Sequence, residues 1–117
     1  LKMVEVEVGG KGRALVELDG RNPGIAERIC QSLPLIARAK LWGEEVYFEL
    51  SIKNADEDPS PTSQEGDVSW WSPGCALCIF FGSTQPYSPV NHIGRVKEGL
   101  DRFYRVEAGD TLVLRRA

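Results

Sequence analysis

Histidine occurs once in this 117-residue chain, methionine once and cysteine three times. An odd number of cysteines does not build a disulfide framework, so a reducing, cytoplasmic setting is the expectation. Cys75 and Cys78 form a Cys-x-x-Cys pair, but only Cys30 and His92 remain to complete a tetrahedral zinc site, so no metal is expected. An excess of basic residues is missing too. Fourteen Lys and Arg face seventeen Asp and Glu, a net charge of -3, which argues against contacts to a nucleic-acid backbone. No apolar run approaches the ~20 residues that span a bilayer, and no basic-apolar-small leader opens the chain. No Gly-x-Gly-x-x-Gly or Gly-Lys-[Ser/Thr] phosphate loop occurs, and no cofactor is expected.

What is present is short-period alternation. Val4, Val6 and Val8 alternate with Glu5 and Glu7, Gly9-Gly10-Lys11-Gly12 supplies a turn, and Ala14, Val16 and Leu18 continue on a partner strand. A helix follows, capped by Asn22 and opened by Pro23, with Ile25, Ile29 and Leu33 on one stripe and Pro34 as its stop. It is too short for a bundle partner and suits a plug or lid. Residues 35–40 alternate roughly, Gly43-Glu44 makes a turn, and Val46, Phe48, Leu50 and Ile52 face one way with Glu45, Tyr47 and Glu49 opposite. Residues 53–65 are polar, contain proline and lack periodicity, which predicts a mobile loop. Asp67 to Trp71 and Ala76 to Phe81 read as two strands around a Pro-Gly turn, the second too apolar to face water on either side. Weaker strands are expected over 90–96 and 102–106, and a last one carries Leu112 and Leu114 inward. Seven or eight short strands with one helix, all in one domain over residues 1–117, predict a mainly β barrel that closes on itself.

Two segments carry a family resemblance. Ile93-Gly94-Arg95-Val96-Lys97-Glu98-Gly99-Leu100 resembles the cyclophilin stretch in which an aromatic, a glycine, a basic residue and a valine precede Lys-Glu-Gly-Met. Gly66-Asp67-Val68…Trp71…Pro73-Gly74…Ala76-Leu77-Cys78-Ile79-Phe80-Phe81-Gly82 is similar to the signature of small cyclophilin-like proteins of bacteria and archaea, a family of unknown function; Leu41-Trp42-Gly43-Glu44-Glu45-Val46-Tyr47-Phe48 fits it as well. The resemblance covers nearly the whole chain and implies a closed barrel of about eight strands with one short α-helix. True cyclophilins are peptidyl-prolyl isomerases that use an arginine after Phe-His. No Phe-His-Arg occurs here, and Arg38, in the comparable region, is flanked by alanines. Ile79 stands where their pocket glutamine would, Val90 where their pocket histidine would, with His92 two residues on; only Phe81 matches a pocket position outright. No catalytic residue is carried over.

The aromatic set Trp42, Tyr47, Trp70, Trp71, Phe81 and Tyr87 points to binding instead. Adjacent on a strand, Trp70 and Trp71 face opposite ways, and the outward ring needs a loop, partner or ligand over it. The expected site is a pocket walled by Phe81, one of Trp70 and Trp71, and Tyr47, with Arg38, His92 and Arg95 as polar contacts. Its partner would be a small molecule or an extended peptide. Two alternatives stand beside this reading: a weak prolyl isomerase, and a structural domain that forms a homo-oligomer through an exposed aromatic patch.

Overall fold

The computed structural model describes residues 2–117. Nine strands form one antiparallel sheet: β1 (Met3–Val8), β2 (Gly12–Leu18), β3 (Leu35–Arg38), β4 (Lys40–Trp42), β5 (Glu45–Glu49), β6 (Asp67–Trp71), β7 (Ala76–Phe80), β8 (Asn91–Glu98) and β9 (Thr111–Arg116). Their order is β3-β9-β1-β2-β8-β6-β7-β5-β4. The two edges, β3 and β4, are halves of one run joined at Ala39. Its first half pairs with β9 and its second with β5. At the joint, the Ala39 N–H donates to the Asp110 carbonyl and the Gly109 N–H to the Ala39 carbonyl (2.9 and 2.8 Å). A single bent segment thus bridges both edges and leaves no long free edge, the device by which a sheet becomes a barrel. The expectation of about eight strands agrees with nine once that bend is recognised.

Alternation fills the barrel. Val4, Val6, Val8, Val16, Phe48, Trp70, Leu77, Ile79, Leu112 and Leu114 are buried in the main core. The helix α1 (Pro23–Ser32) lays Ile25, Ala26, Ile29 and Cys30 into the same core and acts as the plug its stripe predicts. Gly94 lies where β8 packs tightly against β2. A Cβ there would meet the Glu17 carbonyl oxygen at 2.3 Å, so only glycine fits. No helix among the described residues is long and apolar enough to cross a membrane.

Three local expectations change. Asn22 makes no side-chain cap; its buried amide spans the Asp58 N–H (2.7 Å) and the His92 carbonyl (2.8 Å) instead. Glu57 caps the helix from the loop, accepting from the Gly24 and Ile25 N–H groups (3.3 and 3.1 Å). A carboxylate there satisfies orphan donors and complements the helix dipole. Residues 53–65 are not a loose excursion. Besides Glu57 and Asp58, the Asn54 carbonyl accepts from Trp70 Nε1 (3.2 Å) and the Ser60 backbone bridges Val90. Asp56 accepts from Ser72 and Asn91 (2.6 and 2.9 Å). Finally, residues 102–106, expected as strand, fall largely within a 3₁₀ segment, Leu100–Arg105, which buries Phe103 against the barrel interior.

Candidate functional site

One side of the barrel wall is covered on its outside as well as its inside, which explains why β7 is buried at every position. Leu77, Ile79 and Phe81 point into the core. Cys78 and Phe80 point outward into a second apolar cluster with Val90, against which Tyr47 and Trp71 pack. The cover is residues 82–90. It is fastened first at the β4–β5 turn, where the Phe81 N–H donates to the Glu44 carbonyl (2.9 Å), Ser83 N–H to the Glu44 carboxylate (3.0 Å) and Glu44 N–H to Thr84 Oγ1 (2.7 Å). A Cβ on Gly82 would displace that Glu44 carboxylate and loosen the fastening. Gln85 ties it to Ser63, and Ser88 accepts from Trp71 Nε1 (2.7 Å).

Between this cover and the sheet lies an open hollow of about 200 Å³ lined by Trp42, Glu45, Tyr47, Trp71, Pro86, Tyr87 and Val90. Strand pairing sets its floor: Glu45 lies opposite Trp42 on β4 and Phe80 on β7. The aromatic walls meet nearly at right angles. Trp42 and Tyr87 have centroids 5.7 Å apart at 85°, Trp71 and Tyr87 6.3 Å at 84°, and Tyr47 and Trp71 6.3 Å at 80°. Trp42 and Tyr87 remain 48% and 75% exposed, so large apolar faces stand in water at the rim. Glu45 is 6% exposed, and no Lys or Arg among the described residues pairs with it. Burial pushes its carboxyl above the ordinary range, opposed by a hydrogen bond from the Cys78 thiol. The Cys78 thiol is pushed well up by burial first and the neighbouring carboxylate second.

The residues picked out in the sequence fall into separate places. Tyr47 and Trp71 line the hollow. Trp70 is fully buried in the barrel core, and Phe81 is buried there too, stacked on Phe103 (6.5 Å), with the exposed Tyr104 ring 6.0 Å away. Arg38 is exposed, on the outer side of β3, beside a different surface depression with Lys40, Glu49 and Ser51. Arg38 and Phe81 therefore stand on opposite sides of the barrel wall. His92 and Arg95 join the outer face of β6 and β8. Arg95 pairs with the buried Asp67 (2.7 Å) and caps the Glu65 carbonyl (2.7 Å).

Sequence reading did not single out Ser69, which with His92 and Asp67 assembles three residue types known from hydrolases. Their geometry is not that of a charge relay. His92 Nε2 faces the Thr62 carbonyl (2.8 Å), which can only accept, so Nε2 carries the proton and Nδ1 accepts from Ser69 Oγ (2.5 Å). Asp67 spends its oxygens on Arg95, Arg21 and the Gln64 N–H, and lies 3.8 Å from His92 Nδ1. Ser69 is wholly buried. The network joins β6 and β8 to the loop over them. Among the described residues, no group of three or more His, Cys, Asp or Glu side chains could hold a metal ion. Glu45 was also missed, because alternation marks it only as outward-facing; its position beside Tyr47 and across the turn from Trp42 was the available signal.

Comparison with known proteins agrees with this architecture. The family model described as Cyclophilin-like matches residues 2–115. The solution structure of the hypothetical protein AF2241 from Archaeoglobus fulgidus superposes with a TM-score of 0.84 at 30% identity, over 99% of this chain and 95% of that one. McbB, solved in complex with tryptophan, superposes with a TM-score of 0.82 at 19% identity. That match spans 97% of this chain but 44% of McbB, and shows the shared fold. Comparison with curated proteins gives no match. On the family match over residues 2–115, the 30% identity to AF2241 and the bridged barrel, the chain belongs to the cyclophilin-like family.

Proposed function

We propose that this protein is a small-molecule-binding module and that its ligand sits in the aromatic hollow on the outside of β4, β5 and β7. The observation that carries the reading is a concave space of about 200 Å³ whose walls are four aromatic rings, two of them left in water. Exposed aromatic surface of this kind costs free energy unless something covers it. The space lies below the ~300–1,000 Å³ of drug-sized ligand pockets, so it suits a small molecule or one end of a larger one. Its wall of residues 82–90 is fastened to Glu44, Ser63 and Trp71, so the shape exists before a ligand arrives. McbB, which contains the same fold, takes the small molecule tryptophan.

A fragment library screened by ¹H–¹⁵N correlation spectra tests this. Binders should move the indole signals of Trp42 and Trp71 while that of Trp70 stays still, and Trp71→Ala should abolish the response. Fragments that respond only around Arg38, or nowhere, would remove the proposal.

A further inference from the structure

Resting on that reading, we infer that the ligand is a small organic cation, an ammonium carrying alkyl or methyl groups, with Glu45 as its counter-charge. An aromatic face carries negative charge density and an aromatic edge positive, so ring faces that line an open hollow attract a cation entering it. Trp42, Tyr47, Trp71 and Tyr87 form such a chain of near-perpendicular neighbours. An apolar ligand would be served equally well by aliphatic walls; tryptophan and tyrosine faces favour a cation with apolar skin.

The floor supplies the second observation. Glu45 lines the hollow at 6% exposure, and among the described residues its carboxyl has no cationic partner. Buried carboxylates are ordinarily paired, because removing the charge from water costs several kcal/mol per ion. Of the two strands that flank β5, β7 carries no cation, and Lys40 on β4 lines the adjacent depressions rather than this one and makes no ion pair with Glu45. An incoming ammonium would restore the missing partner, and its substituents would lie against the rings. The protein's net charge of -3 favours approach of a cation.

The test compares two probes of one shape. Choline and its neutral carbon isostere 3,3-dimethylbutan-1-ol are titrated into the ¹⁵N-labelled full chain at pH 7.5 and low salt. Both should shift the Trp42 and Trp71 indole signals, with choline binding about tenfold more tightly. Glu45→Gln should bring the two probes within about threefold of each other, and Trp42→Ala should weaken choline more than the alcohol. Equal binding of both probes to the native protein would overturn the cation assignment, and a preference for choline undiminished by Glu45→Gln would overturn Glu45 as its counter-charge; either result leaves a small-molecule site standing. If neither probe moves these signals and the fragment screen is also silent, the hollow is not a binding site and both readings fail.

Discussion

Replacing each of two adjacent tryptophans with phenylalanine should have unequal consequences. Trp70 is fully buried, and its Nε1–H satisfies the Asn54 carbonyl inside the protein. Trp70→Phe removes one ring of the indole, leaves a void, and strands that carbonyl. An unsatisfied buried acceptor costs about 1–3 kcal/mol, and the lost packing about 1 kcal/mol more, so a destabilisation of about 3 kcal/mol is expected. Trp71 donates to Ser88 Oγ at the half-buried rim of the hollow, where water can replace the lost partner. Trp71→Phe should cost about 0.5–1 kcal/mol. The difference of about 2 kcal/mol is roughly a thirtyfold change in the folding equilibrium. Urea unfolding followed by far-ultraviolet circular dichroism measures both, with unchanged m-values as the check on two-state behaviour. Iodide should quench the remaining fluorescence of Trp70→Phe more completely than that of Trp71→Phe. Equal costs, or a reversed order, would refute the register of β6, because a one-residue slip exchanges the two rings between core and surface.

Two further outcomes are expected. Burial raises the Glu45 carboxyl above its ordinary 4.5, so the folded protein holds this proton more tightly than the unfolded chain. The stability that Glu45 costs is absent below the unfolded value and accrues as pH rises from there toward the raised folded value. Glu45→Gln should therefore match the native protein near pH 4 and exceed its melting temperature at pH 7, as differential scanning calorimetry would show; a variant equally or less stable at pH 7 contradicts the buried, unpaired carboxylate. Glu57→Ala removes the cap that the loop gives to α1 and should cost about 1 kcal/mol, with faster amide exchange at Gly24 and Ile25, whereas exchange unchanged there would show that Glu57 does not cap.

The barrel was legible because its signals are local. Val4, Val6 and Val8 alternate with glutamates, and a strand needs nothing else to declare its inner face. The stripe of Ile25 and Ile29 did the same for the helix. Errors arose where distant partners decide. Asn22 has the chemistry of a cap, but burial beside His92 and Asp58 redirected its amide and left the cap to Glu57, 35 positions away in sequence. Residues 102–106 carry apolar positions that also suit a strand, and the 3₁₀ turn is set by Phe103 docking on Phe81.

The site follows the same division. Sequence alone established that one member of Trp70-Trp71 faces outward and that Tyr47 and Glu45 share a face. Period-two geometry guarantees those statements whatever the rest of the chain does. Which tryptophan faces outward, and whether Glu45 meets water or a wall of rings, was decided only when residues 82–90 crossed back to fasten on Glu44, Ser63 and Trp71. Burial of a surface-facing residue depends on what lands on it, and that is a property of the closed barrel and its covering loop rather than of any strand within it.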